Sequence, residues 1–300
     1  MSLPPNHLPS NTVPSLSADE SLFHSEKALE LKREICEMGR RMWLRQYCEA
    51  NGGNISCRLA KDRFLVTPTG VSKGFMTPDM LCLVDGKGTQ ILPTTGPWHH
   101  STEFLTHLAI YDAVPHAASV CHAHPCHAGA FAIKQLELPT RLIPEMEIFV
   151  GRVPVALYET PGSPMIAASV APLAPHHQSI LLGLHGLICW GTSVEDAYFK
   201  IEITDAYCRT VLLAMPLPGM AAIPSEKIGD LMERKQKTGL PDSRFGLTPA
   251  EFCAMNPWEY LKGDFLGSTN ANQKPGFLPD PEDLADRITK KIISQLKITK

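Results

Sequence analysis

Two histidines stand at i and i+2 in Val120-Cys121-His122-Ala123-His124-Pro125, a stretch that reads as a β-strand. Successive strand side chains point to opposite faces, so His122 and His124 share a face with Cα atoms about 6–7 Å apart. Imidazoles so placed can each give a nitrogen to one metal ion at roughly 2.0–2.1 Å. The pair alone could equally be two hydrogen-bonded core histidines. Glu103 upstream, in Ser101-Thr102-Glu103-Phe104, and His185 downstream, in Leu184-His185-Gly186-Leu187, widen the set. Three histidines and a carboxylate in apolar surroundings suit a catalytic zinc with one displaceable ligand.

The rest of the composition sets bounds on what such a site could serve. Three hundred residues with 44% apolar content can build one large domain or two small ones. A net charge of −3 with a pI near 6.5 gives no electrostatic footprint for nucleic acid. No apolar run approaches the roughly 18 residues that span a bilayer. Residues 1–17 hold Pro and Ser without a basic stretch before an apolar core, so they do not read as a secretory signal. Nine cysteines, an odd number with no Cys-x-x-Cys pair, fit a reduced cytoplasmic protein better than a disulfide scaffold. The expectation is a soluble cytoplasmic enzyme of small molecules, with no nucleic-acid or membrane partner.

The elements that must position these residues alternate between helical and strand patterns. Residues 1–23 read as a disordered N-terminal arm, with Pro4, Pro5, Pro9 and Pro14 among Ser and Asn. Apolar residues at helical spacing (Leu31, Ile35, Met38, Met42) predict a helix from Ser25 to about Glu49, stopped at Asn51-Gly52-Gly53-Asn54. Strands are predicted at 55–59, 63–67, 81–84, 119–124, 153–158, 179–182 and 187–190. Helices are predicted from about Ser101 to Tyr111, over 128–133, and from Ser193 to about Arg209, whose first turn holds Glu195 and Asp196. Residues 24–215 form one α/β domain on this reading. Residues 216–300 form an irregular extension with a terminal helix from about Pro281 to Lys297.

Five segments, in order and spacing, carry a resemblance. Gly53-Asn54-Ile55-Ser56, Thr67-Pro68-Thr69-Gly70, Ser101-Thr102-Glu103, His122-Ala123-His124-Pro125 and His185-Gly186-Leu187 resemble the motifs of the class II aldolase/adducin family, from about Lys27 to Met215. Its members include L-fuculose-1-phosphate aldolase, L-ribulose-5-phosphate 4-epimerase and the head domain of adducin. The resemblance implies a three-layer α/β/α fold around a mainly antiparallel sheet. It also implies a cyclic homotetramer with sites between adjacent subunits.

On that resemblance His122, His124 and His185 match the zinc-binding histidines, and Glu103 matches the catalytic carboxylate. Zinc held by neutral imidazoles stays dipositive, can acidify a hydroxy ketone at its α-carbon and can stabilise the enediolate that follows. Glu103 would move the proton; as a first-turn glutamate it also has a purely structural use at a helix start. Asn54, Thr69, Gly70, Ser101 and Thr102 match the phosphate cradle, although turn and cap chemistry would explain several of them. Thr102 stands where several relatives have Ser, which keeps the hydroxyl and narrows the site. Lys73 reads as a solvated surface lysine that could add positive charge nearby. Fuculose-phosphate aldolase has a tyrosine acid in the segment that corresponds to Ile143-Pro144-Glu145-Met146-Glu147, where this chain offers carboxylates. Glu145 is therefore either the second acid or a surface glutamate on a connecting loop, with Tyr158 and the C-terminal tail as other candidates. The expected function is a zinc-dependent aldolase-type lyase acting on a small, phosphorylated hydroxy ketone or sugar derivative. An epimerase, a dehydratase, a decarboxylase or a non-catalytic adducin-like module are the alternatives.

Overall fold

The computed structural model describes residues 16–254, apart from 95, 218 and 241. The expected arm up to residue 15 and the terminal helix at 281–297 lie outside the described residues.

Seven strands form one sheet: β1 (Asn54–Ala60), β2 (Arg63–Val66), β3 (Cys82–Asp85), β4 (Ser119–Ala123), β5 (Val155–Ala156), β6 (Ser179–Leu182) and β7 (Gly186–Gly191). Their order is β3-β2-β1-β4-β7-β6-β5, and every neighbouring pair is antiparallel except β5–β6. Strand alternation divides the side chains between two apolar cores. Cys121, Ala123, Leu187 and Cys189 face helices α2 (Glu26–Leu44), α4 (Cys126–Lys134) and α7 (Val194–Ala214). Val120, Ile188 and Trp190 face α3 (Phe104–Ala113) and α6 (Pro164–Val170) on the other side. This is the expected α/β/α sandwich with a mainly antiparallel sheet.

Local chemistry fixes the elements that lead to the site. In α2, Ser25 Oγ accepts from Ala28 N, and Ala28, Ile35, Met38 and Met42 bury one stripe. The helix ends at Leu44, short of the expected Glu49, because Gln46 adopts φ 61° and Tyr47 N bonds back to Met42 O at 2.9 Å. Pro125 at the N-cap of α4 has no side-chain oxygen to offer the first turn. Asp205 on α7 supplies one instead, its Oδ1 accepting from His127 N and Ala128 N at 3.0 Å each. The chain leaving His124 is thereby tied to the far helix.

Three sequence expectations need correction. Residues 18–23 of the expected disordered arm form helix α1 (Ala18–Phe23), because Ser17 and Glu20 make a reciprocal capping box and Phe23 is buried. Glu145, expected on a connecting loop, lies in a short helix, α5 (Pro144–Phe149), with Ile143 as its N-cap and Pro144 in its first turn. The extension is not irregular throughout: α8 (Ile228–Lys237) and α9 (Pro249–Ala254) follow, and α8 packs on α5. That packing is held by buried charges. Lys235 Nζ lies 2.9 Å from Asp242 Oδ2 and donates to Val150 O at 3.0 Å, while Arg244 grips Asp242 through two bonds of 2.8 Å. Arg244 Nη1 is also 2.8 Å from Glu147 Oε2, a Coulombic contact outside hydrogen-bond angles.

Candidate metal centre and active site

The β1–β4 register sets Asn54 opposite His122. His122 is buried on β4, and its Nδ1 lies 3.0 Å from Leu187 O on β7. His124 stands one residue past the strand end, where its backbone N donates to Tyr47 O and its Nδ1 lies 2.5 Å from Glu49 Oε1. His185 enters from the β6–β7 turn, in which Leu184 takes φ 56°. Gly186 makes that approach possible: a Cβ there would sit 2.6 Å from Ala123 O and 2.9 Å from His124 Cδ2.

The three Nε2 atoms converge. His124 Nε2 is 3.1 Å from that of His122 and 3.2 Å from that of His185, and all three lie within 4.8 Å of one another. Burial, reinforced by the other two rings, holds His122 well below the usual histidine range, and burial brings His185 down to about 4. With Nδ1–H donating outward, from His122 to Leu187 O and from His124 to Glu49, the Nε2 lone pairs of these two rings point inward. Two such lone pairs, with His185 Nε2 lying 3.2 Å from that of His124, repel unless a cation lies between them. The donor set therefore fits a divalent metal, and nitrogen donors from three histidines suit zinc among others.

Glu103 borders the cluster, with Oε1 3.6 Å from His185 Nε2 and Oε2 3.8 Å from His122 Nε2. Asn54 Nδ2 donates to Oε2 at 2.6 Å. Burial raises the Glu103 carboxyl above the usual range, and the Asn54 bond opposes that rise. Glu103 is the N-cap residue of α3 but makes no side-chain cap bond; Ser101 Oγ instead accepts from Glu103 N at 3.3 Å. Its carboxylate is thus turned away from the helix-start use and toward the histidines.

The expected cradle residues are gathered by two backbone crossings. Pro68 and His100 form an isolated antiparallel bridge, and Thr69 N donates to His99 O while Ser101 N donates to Thr67 O. Thr67 Oγ1 in turn accepts from Ile55 N, beside Asn54. Gly70 takes φ 71° with open space where a Cβ would be, and Thr102 is exposed. Glu145 is a different matter. It stands exposed in the first turn of α5, and among the described residues it makes no hydrogen bond or ion pair with the histidines or Glu103; Tyr158 is also exposed.

Lys73 corrects its sequence reading outright. It is 1% exposed, not a solvated surface lysine, and its Nζ donates to Asn51 O at 2.9 Å and Val71 O at 2.6 Å. The reason is packing: it opens the 3-10 turn Lys73–Phe75, which lies against α2 where Gly39 leaves room for Lys73 O. Glu49, the partner of His124, was missed because its separation from His124 along the chain gives no local signal.

Residues 33–212 match the family model for the class II aldolase and adducin N-terminal domain. Among curated proteins, the chain is 32% identical over 212 residues to a 3-oxo-tetronate 4-phosphate decarboxylase of Cupriavidus necator, covering 68% of this chain and 94% of that protein. It is 32% identical over 181 residues to an L-fuculose phosphate aldolase of Methanococcus vannielii, covering 59% of this chain and 91% of that one. Among solved structures, YgbL of Klebsiella pneumoniae aligns with a TM-score of 0.62 at 27% identity, over 67% of this chain and 97% of that chain. An L-fuculose 1-phosphate aldolase shares the fold with a TM-score of 0.64 at 22% identity, over 73% and 100%. With the family's motifs gathered around one convergent histidine triad, the chain belongs to the class II aldolase and adducin family, as one of its enzymes.

Proposed function

We propose that this enzyme is a zinc-dependent lyase that breaks a carbon–carbon bond beside a carbonyl in a small phosphorylated sugar derivative. The convergence of three Nε2 atoms with Glu103 at 3.6–3.8 Å carries the reading. When bound, the metal supplies Lewis acidity that stabilises negative charge developing on substrate oxygens. His122, His124 and His185 would hold it, with Leu187 O and Glu49 fixing two of the rings. Glu103 would carry the proton at the reacting carbon or hydroxyl, steadied by Asn54. Thr69, Gly70, Ser101 and Thr102 would receive the phosphate through hydroxyls and turn N–H groups.

Two bond cleavages share this chemistry. Loss of CO2 and loss of an aldehyde both leave a carbanion equivalent next to a carbonyl, which then takes a proton. The relatives include proteins named for each. Decarboxylation gains support from Glu145, an exposed carboxylate in the segment where the aldolase has its tyrosine acid. Zinc-loaded protein should be given a 3-oxo-tetronate 4-phosphate and L-fuculose 1-phosphate in parallel, with CO2 release and aldehyde formation as readouts. Turnover of neither, by protein with a full complement of metal, contradicts the reading.

We further propose a homotetramer with the site at a subunit boundary. The exposed Trp43 and Phe75 rings, 5.1 Å apart, give one apolar surface that a neighbouring subunit would cover. Light scattering at micromolar concentration tests this, and a monomer mass overturns it. A cytoplasmic setting is in keeping with the eight described cysteines, all free.

A further inference from the structure

Lys73 carries a buried charge with no carboxylate in direct ion-pair contact among the described residues. Its Nζ is spent on two backbone carbonyls, and among the described residues no Asp or Glu forms an ion pair with it. Three other buried cations are paired with carboxylates: Lys200 with Asp196, and Lys235 and Arg244 with Asp242. Lys32 lies over the Phe23 ring. Burying an ammonium without an opposite charge is costly, and a protein keeps such a group where something else supplies the anion.

The position of Lys73 says where that anion would lie. Asn51 O and Val71 O belong to the two segments that lead into the candidate cradle, one just before Asn54 and the other just after Gly70. One ammonium thus pins both loops together from beneath. Its charge reaches the site, since it acts on Glu103 and lowers that carboxyl against the effect of burial. An ammonium has three donors and the carbonyls use two. The loops present hydroxyls and N–H groups but no side-chain cation of their own at Asn54, Thr69, Gly70, Ser101 or Thr102.

We propose that Lys73 is a positioning and specificity residue that makes the Asn54–Thr69–Gly70 cradle select an anionic group, acting through its buried charge and through the two loops it holds. This rests on the phosphate reading above and deepens it. An uncharged hydroxy ketone would gain nothing from this charge, so discrimination between phosphorylated and free substrates is assigned to Lys73.

The test uses full-length, zinc-loaded protein and sulfate as the probe, because its two charges do not change near neutral pH. Calorimetric titration at pH 7 should show sulfate binding to wild type, at least tenfold weaker binding to Lys73→Gln, and recovery of most of the loss in Lys73→Arg. Lys73→Gln keeps a donor for the carbonyls and drops the charge, so its zinc content should match wild type. Equal sulfate affinity in Lys73→Gln and wild type overturns the proposal, as does a wild type that fails to bind sulfate.

A second measurement guards against a variant that does not fold. In the Glu103→Gln background, sulfate affinity should fall between pH 7 and pH 9, because burial brings the Lys73 ammonium down to about 8. Cys48, its other charged-state neighbour, is pushed up to about 12 by burial and stays neutral there. Adding Lys73→Arg should flatten the profile; a fall that survives that change also overturns the proposal. Neither readout needs turnover, so failure here is distinct from failure of the proposed reaction.

Discussion

Asn54 Nδ2 donates to Glu103 Oε2 at 2.6 Å, and the same Asn54 sits opposite His122 across the β1–β4 ladder. One strand position therefore fixes a carboxylate against the histidine cluster. Asn54 Oδ1 is buried with no hydrogen-bond partner among the described residues, which leaves an acceptor inside the site. Glu103 is held by contacts that a merely helix-starting glutamate would not need.

Glu103→Gln should separate proton transfer from structure. The change is nearly isosteric, so folding and zinc content should be retained. General acid–base catalysis is worth about 10²–10⁴-fold, and turnover should drop by that order. Exchange of the substrate α-proton with deuterated water is the direct assay for an enolate-forming step. Unchanged exchange in folded, zinc-loaded variant would place the proton carrier elsewhere.

Glu49→Gln tests the group behind His124. Its carboxylate lies 2.5 Å from His124 Nδ1, fixing the tautomer and the ring. Losing such a partner costs about 10–100-fold in metal affinity. Competition with a zinc chelator should show that loss in Glu49→Gln while the melting temperature changes little, Glu49 being exposed.

Asp242→Asn should unfold the extension from α5. Burial pushes the Asp242 carboxyl up, but Arg244 and Lys235 outweigh it and hold the group well below the usual range. Breaking a buried pair by removing one partner costs about 3–5 kcal/mol. A carboxyl depressed in the folded state contributes stability above its unfolded pKa, about 3.9, and loses it as pH falls through the folded value. Thermal melts should therefore show a large loss in Asp242→Asn at pH 7 that narrows below about pH 4. A pH-independent difference between the two proteins would contradict that assignment.

The fold and the metal cluster were legible because their signals are local or paired in simple ways. His122-x-His124 reads as one strand face, and strand and helix periods give the three layers. Ser17-Ala18-Asp19-Glu20 is a capping-box pattern, and Ile228, Leu231, Met232 and Lys235 recur at helical spacing, so α1 and α8 were readable but overlooked. Lys73 was not readable, because its burial depends on Gly39 of a distant helix admitting its backbone oxygen. The same holds for Glu147, whose partner Arg244 lies far along the chain beyond the family's matched region.

Metal stoichiometry tests the central claim most directly. Protein refolded or expressed with zinc should bind about one equivalent per chain, and His124→Ala should lose it, because His124 Nε2 links to both other rings at 3.1–3.2 Å. Elemental analysis of both proteins after exhaustive dialysis supplies the measurement. One equivalent in wild type and none in folded His124→Ala is the expected result; equal metal in the two proteins would contradict the site.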